Sequence, residues 1–417
     1  MQATLWPDED PVHLSKDLFD KFLVWCADIG ANDIYVEAGE VLAVKKDGNV
    51  LPVGRRRLRY DELILVLQGI VTPGVDSLLR GGTDIDVNYS VISDDDSRKI
   101  SFRVNVTPTE PCPGENAGVE VVFRIIPGAP PKWQDLGIDN ELLELCRKTQ
   151  GLVLLIGKTG SGKTTTIASL LRYIIEKMPK HILTFEDPIE YDLKSIPNRI
   201  ARVVQSEVYR HLKDWVHAVR NSLRRSPDVM LYGELRDKET IKAGLLASET
   251  GHLVFATVHA NGVETAFDRM VESMSADDAR GTTAKLIEST QGLIYQVLVR
   301  KRGGGRLALR SYLILDDHMR RVLQVALLKD GVITTVMNDL VRSNGRTIMM
   351  DARMKFSQGL ITLEEFMLLI NQYGTTEDAQ LIPDVTSGLL KRGLLDQEEA
   401  NDWISAFNEL EVEDESA

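Results

Sequence analysis

Cysteine is scarce in this chain: Cys26, Cys112 and Cys146 are far apart and form no C-x-x-C pair. That excludes a zinc ribbon and a disulfide framework, and it fits a reducing compartment. Long apolar runs are missing too. No stretch reaches the roughly 18 residues that a spanning helix needs, and the amino terminus carries Asp8, Glu9 and Asp10 where an export leader would be basic. The expectation is a chain neither exported nor membrane-spanning. Positive charge is short as well, with 49 Lys and Arg against 62 Asp and Glu, a net charge of −13. Most of such a surface repels nucleic acid, so no direct nucleic-acid partner is expected, although a local basic patch is compatible with the balance. What is present is ordinary for a soluble globular protein, 43% hydrophobic and 27% charged residues. The length of 417 residues suits roughly two to three domains.

The chain is organised around Gly157, Lys158, Thr159, Gly160, Ser161, Gly162, Lys163 and Thr164, a G-x-x-x-x-G-K-[ST] run. The apolar stretch Leu152–Ile156 precedes it and Thr165–Leu171, with helical spacing, follows. In the order strand, glycine-rich loop, helix, loop amides can wrap phosphate oxygens, the Lys163 ammonium can reach the β- and γ-phosphates, and the Thr164 hydroxyl is left for Mg²⁺. These residues and Thr165 are the candidate nucleotide-binding set, with ATP and Mg²⁺ as the cofactors.

In chain order, residues 1–126 read as a small α+β domain. Leu18, Phe22, Leu23, Trp25, Cys26 and Ile29 predict an amphipathic helix ending at Gly30. Strands are expected at 33–37, at 41–44, and on both sides of an Asp47-Gly48 hairpin turn, with a second helix over 63–70. Further strands are expected at 84–87, 100–106 and 118–124. Arg55, Arg56, Arg57 and Arg59 read as a solvated turn rather than an anion patch. Arg103 and Arg124 each follow a Phe on a strand; they are either exposed alternation partners or ligands for an anion. Pro127–Pro131 opens a linker, taken as 127–137.

Over 138–335, short apolar strands alternate with helices, as a mostly parallel sheet requires. Strands are expected at Leu152, 182–185, 229–232 and 253–258, and polar residues cluster beyond their carboxyl ends, where open α/β sheets bind ligands. Glu186 and Glu190 follow the second strand. Glu234 follows the third, an apolar strand ending in an acid that can orient an attacking water. His259 follows the fourth, with His252 at its start; a histidine there is either a satisfied side chain or a reporter of the γ-phosphate.

These stretches together resemble the PilT/GspE-like secretion and pilus-retraction ATPases. The resemblance runs through Gly30–Asp33, Phe102–Asn105, Phe123–Pro127, the Walker A loop, Glu186–Tyr191, Ser226–Val229, the Walker B segment Gly233–Asp237, and Gly251–Leu253 through His259. It lacks the four-cysteine insertion of the assembly ATPases, and Val336–Arg342 stands where retraction ATPases carry an Ala-Ile-Arg helix. Gln205–Glu207 and Arg220–Pro227 look most like the DotB/TraJ branch of type IVB secretion and conjugation.

The resemblance implies an α/β fold: a RecA-like P-loop NTPase core, a smaller α+β (PAS-like) domain before it, and a helical C-terminal region after it. It implies a homohexameric ATP hydrolase at the cytoplasmic face of the inner membrane. There it would dock peripherally, through inner-membrane and cytoplasmic components of the machine, and power type IVB secretion or conjugal transfer; type IV pilus retraction is the alternative. In that reading Glu234 activates water, Glu186 and Glu190 position water and metal (Glu186 through water), His259 reports the γ-phosphate, and Arg103 and Arg124 neutralise transition-state charge. Two other classes stay open: a nucleotide-dependent adaptor that binds without turnover, and a nucleic-acid motor, which the acidic balance disfavours.

Residues 336–417 read as helical. Gly359–Glu365 is echoed by Gly393–Glu399, and in each copy Thr362 or Asp396 stands three residues before a Glu, so each predicts a helix start. Residues 409–417 are acidic and expected to be loose.

Overall fold

The period-two pattern of Ile100, Phe102, Val104 and Val106 puts every second side chain on one face of a strand, and all four are buried in the computed structural model. The structure describes residues 5–8, 13–46, 48–93, 98–235, 237–329 and 333–415. The chain falls into two units, Met1–Ala129 with Glu190–Ser195, and Pro130–Ile189 with Ile196–Ala417.

The first unit contains α1 (Lys16–Asp28), β1 (Asp33–Glu37), β2 (Val41–Lys46), β3 (Asn49–Arg57), α2 (Tyr60–Ile70), α3 (Val75–Arg80), β4 (Ile85–Ile92), β5 (Lys99–Thr109) and β6 (Gly118–Ile126). Its strands make one antiparallel sheet in the order β3-β2-β1-β6-β5-β4. Ser15 starts α1 by accepting a hydrogen bond from the Leu18 N–H at 3.2 Å. The helix then buries Phe19, Phe22, Leu23 and Cys26. Phe19 and Phe102 close on Phe123 with ring centroids 5.3 and 6.1 Å apart, and each such ring contributes on the order of 1.5–3 kcal/mol.

The arginines at 55–57 are not in a turn, although Arg55 and Arg57 are exposed as expected. They lie on β3, where Arg56 forks onto the Glu62 carboxylate (Nη1 to Oε2, 2.9 Å), Arg55 donates to the Trp6 carbonyl at 2.7 Å, and Arg57 donates to the Gly39 carbonyl at 3.3 Å. In the β2–β3 pairing Lys46 stands opposite Asn49; Asp47, of the expected turn, is outside the described residues.

The second unit contains α4 (Asn140–Leu145), β7 (Gly151–Ile156), α5 (Lys163–Lys177), β8 (His181–Glu186), β9 (Arg202–Glu207), α6 (Trp215–Ser222), β10 (Val229–Tyr232), α7 (Lys238–Glu249), β11 (Leu253–Val258), α8 (Ala266–Val271), α9 (Ala276–Ser289), β12 (Thr290–Arg300), β13 (Arg306–Ile314) and α10 (Asp317–Leu328). It ends in α11 (Ile333–Asn344), α12 (Ile348–Ser357), α13 (Leu363–Tyr373), α14 (Thr376–Ala379), α15 (Ile382–Lys391) and α16 (Gln397–Glu415). The strand order is β13-β12-β7-β11-β10-β8-β9, parallel throughout except where β13 meets β12. Every residue of β7, β10 and β11 is buried, as strands covered on both faces must be. From β7 the chain crosses to β8 on one side, and from β11 it crosses back over β7 to β12 on the other. The carboxyl end of β7 is therefore a switch point, where a crevice forms.

The C-terminal helices share the core of this sheet. Met337, Val341, Phe356, Phe366 and Trp403 belong to the same buried cluster as Leu293, Leu309 and Leu313. Phe356 stacks on Phe366 at 4.2 Å and on Trp403 at 5.3 Å. Thr362 accepts from the Glu365 N–H at 3.3 Å and Asp396 from the Glu399 N–H at 2.8 Å, so the echoed segments start α13 and α16. α16 extends through the acidic end as far as Glu415; residues 416 and 417 are outside the described set. Among the described residues no helix is long and apolar enough to cross a membrane.

Candidate nucleotide-binding site

The buried run of β7 ends at Gly157, whose φ is 150° and where an added Cβ would come within 2.6 Å of Ser161 Oγ and 2.7 Å of the Gln296 carbonyl. Only glycine lets the loop turn this tightly. Gly162, with φ 81°, is the N-cap of α5, so the loop delivers Lys163 to the first turn of a helix whose free N–H groups favour an anion. Lys163 is buried; its Nζ donates to the carbonyls of Gly157 (2.6 Å) and Lys158 (2.9 Å). Burial pushes its pKa down and the charge of Glu234 opposes that shift. Ser161 Oγ is buried with no hydrogen-bond partner among the described residues. A buried ammonium resting on the loop's own carbonyls, an orphaned hydroxyl and the start of α5 fit a polyphosphate with its Mg²⁺, and Thr164 is exposed on that first helical turn.

The parallel register sets Tyr232 of β10 beside Phe185 of β8 and Ala256 of β11, so the residues after these strands emerge side by side. The Gly233 N–H donates to the Phe185 carbonyl at 2.8 Å, Thr257 Oγ1 donates to the Gly233 carbonyl, and the Leu235 N–H donates to the Thr257 carbonyl at 3.1 Å. This lattice fixes the backbone on both sides of Glu234. Its Oε1 lies 3.5 Å from His259 Nε2. Glu186 is buried and accepts from Thr184 Oγ1 (2.5 Å) and Gln205 Nε2 (3.2 Å). A cavity of about 700 Å³ opens beside the loop, lined among others by Lys158, Thr159, His259, Asn261 and Arg269. Arg236 of the Walker B segment is outside the described residues.

The structure thus brings Lys163, Glu234 and His259 together and places Glu186 at the adjacent strand end. Glu190, with three residues between it and Glu186, is grouped with the first unit. His252 is engaged locally, its Nδ1 3.0 Å from the Ala247 carbonyl. Arg103 and Arg124 stand directly opposite each other on β5 and β6. Arg124 Nε donates to Asp33 Oδ1 at 2.7 Å, a bond that raises the arginine's pKa.

Sequence reasoning missed two residues under the loop. Gln296 of β12, 1% exposed, donates from Nε2 to the Ser161 carbonyl (2.7 Å) and accepts at Oε1 from Thr166 Oγ1 (2.7 Å) and Arg310 Nε (2.9 Å). Arg310 of β13, also 1% exposed, donates from its Nη atoms to the Leu136 and Gly137 carbonyls. The signal was an amide and a guanidinium next to apolar residues, in Tyr295-Gln296-Val297 and Leu309-Arg310.

A family model described as type II/IV secretion system protein matches residues 83–368. The type IV pilus retraction ATPase PilT of Pseudomonas aeruginosa is 33% identical over 304 residues, 73% of this chain and 84% of that protein. The crystal structure of the Legionella pneumophila ATPase DotB superposes with a TM-score of 0.75 at 34% identity, covering 89% of this chain and 100% of that one. The pilus retraction motor PilT with bound ADP superposes with a TM-score of 0.72 at 32% identity, covering 85% and 97%.

Proposed function

Since the chain belongs to the type II/IV secretion system protein family, within the secretion and pilus-retraction ATPases, we propose that it hydrolyses ATP with Mg²⁺ as a homohexamer to power a cell-envelope machine. The observation that carries this reading is the grouping of a buried Lys163 with the Glu234–His259 pair at the mouth of a glycine-rich loop. Lys163 would exchange its two loop carbonyls for phosphate oxygens. Thr164 would hold Mg²⁺, with Glu186 reaching it through water; bound there, the ion would offset phosphate charge and polarise the transferred group. Glu234, held by the lattice around Gly233 and Thr257, would take the proton of the attacking water, and His259 would sense the charge beside it. Arg103 and Arg124 would supply transition-state charge; their support is a pairing of like charges that Asp33 only partly offsets.

We assign the machine to type IVB secretion or conjugal transfer, supported by the match to DotB over its whole length. Pilus retraction is the second reading, supported by the match to PilT in both sequence and structure. Either role places the chain at the cytoplasmic face of the inner membrane through partner components. The test is Glu234→Gln in the full-length protein, expected to keep ATP binding and lose turnover by roughly a hundredfold or more; unchanged turnover would remove Glu234 from catalysis. Light scattering with an ATP analogue and Mg²⁺ tests the ring against the 46.6 kDa chain mass, and a monomer under all conditions would contradict it.

A further inference from the structure

We propose that Gln296 is a positioning residue for the glycine-rich loop: it turns one peptide of the loop so that an N–H faces the phosphates, and Arg310 sets which way its amide points. This rests on the nucleotide-binding reading above. Tyr295 of β12 is in register with Ile156, the last residue of β7, so Gln296 comes level with Gly157, where the chain leaves the sheet for the loop. A Cβ added to Gly157 would lie 2.7 Å from the Gln296 carbonyl, and one added to Gly162 would lie 3.0 Å from its Nε2. The amide holds both parts of the motif at once. Nε2 donates to the Ser161 carbonyl in the loop, and Oε1 accepts from Thr166 in α5, each at 2.7 Å, which fixes the loop against the helix that follows it.

The first of these bonds aims a donor. In a trans peptide the N–H points opposite to the carbonyl of the same unit. With the Ser161 carbonyl drawn onto a buried side chain, the Gly162 N–H is turned the other way, toward the mouth of the loop, and among the described residues it has no hydrogen-bond partner. It is left for a phosphate oxygen. The bond to Ser161 requires the nitrogen of the amide, not its oxygen, on that side. Thr166 does not enforce this, because a hydroxyl both donates and accepts. Arg310 does: a guanidinium only donates, so its Nε, 2.9 Å away, requires the amide oxygen on its own side. A flipped amide would set N–H against guanidinium and oxygen against carbonyl. Arg310 is itself held through the Leu136 and Gly137 carbonyls, and its backbone N–H donates to Asp351 at 2.8 Å. The orientation of one loop peptide is thus set by segments far outside the motif.

The experiment compares Gln296→Glu and Gln296→Met in the full-length protein, with kcat, KM for ATP and melting temperature measured on samples of matched assembly. Glutamate keeps the shape and the acceptors for Thr166 and Arg310, and gains an ion pair with the latter, but has no donor for Ser161. Methionine keeps the length and loses every hydrogen bond. Gln296→Glu should melt within about 3 °C of the wild type and Gln296→Met lower. With rates taken below either transition, both should nonetheless lose roughly tenfold or more in kcat/KM, with KM raised, because the lost donor is what they share. Arg310→Met should lower kcat/KM by a smaller factor, since it frees the amide without removing it; unchanged kinetics there would remove Arg310 from the assignment. Turnover that follows stability, kept by glutamate and lost with methionine, would overturn the positioning role of Gln296. So would loss with glutamate alone, which reports its charge, or wild-type kinetics in both variants. A wild-type protein that neither binds nor hydrolyses ATP would overturn the nucleotide reading, and the assignment with it.

Discussion

Arg310→Met is the substitution whose cost the structure defines most fully. The guanidinium is 1% exposed and donates to Leu136 O at 3.2 Å, Gly137 O at 3.1 Å and Gln296 Oε1 at 2.9 Å. Burial lowers its pKa, with Asp351 and Asp139 opposing that shift. Among the described residues no carboxylate takes a hydrogen bond from the guanidinium; Asp351 accepts instead from the Arg310 backbone N–H at 2.8 Å and from Lys355 Nζ at 2.6 Å. Methionine keeps the length of the stem and loses all the side-chain donors. Gln296 Oε1 retains Thr166, so the two carbonyls bear the loss, at about 1–3 kcal/mol each. Relief from burying a cation offsets part of this, leaving a net destabilisation of roughly 3 kcal/mol. At about 2–4 °C per kcal/mol for a unit of this size, the melting temperature should fall by roughly 6–12 °C. Calorimetry of the full-length protein reads the shift, and Arg310→Lys should lie between, because one ammonium cannot span the same acceptors. A methionine variant that melts within about 1 °C of the wild type would refute the reasoning and make the cation a passenger.

Lys163→Ala should abolish ATP binding, since it removes the charge that would face the β- and γ-phosphates; retention of labelled ATP at wild-type affinity would contradict the loop assignment. Arg124→Ala and Arg103→Ala should leave ATP affinity nearly intact and lower turnover by at least roughly a hundredfold, with lysine a poor substitute; steady-state rates equal to wild type would return both to ordinary surface positions. The first unit should show an acid transition set partly by Glu62. Burial pushes that carboxyl up, but the Arg56 hydrogen bonds and charge outweigh it and hold the pKa below the usual carboxylate value. Its stabilisation is therefore present above the unfolded value of about 4.3 and is lost as pH falls through the lower folded one. Arg56→Leu should move the acid transition, followed by near-ultraviolet circular dichroism, to higher pH; an unchanged midpoint would dismiss the pair.

What could be read from sequence was what is local. The glycine loop, the buried runs of β7, β8, β10 and β11, and the acid after β10 each carry their signal within a few residues. β9, β12 and β13 escaped because polar side chains interrupt them, and the reasons for those side chains lie far away in the chain. Gln296 reaches Ser161 across 135 residues, and Arg310 reaches Leu136 across 174. Segment 190–195, expected from sequence within the core, is grouped with the first unit, a long-range association that no local pattern announces. The arginines of β3 were read as a turn because charge was counted without the fold that supplies Glu62 and the carbonyls of Trp6 and Gly39.

The shared core of the C-terminal helices and the sheet has a consequence for how such chains can diverge. A splice near residue 335 would cut through interlocked side chains, since Met337, Val341, Phe356 and Trp403 lie in one cluster with Leu293 and Leu313. The tail is therefore not a cassette that recombination can trade between relatives. A donor tail would have to match the recipient's β12 and β13 tooth for tooth, and drift on either side obliges compensating drift on the other. Change in these helices is thereby bound, residue by residue, to the lineage of the sheet beneath them.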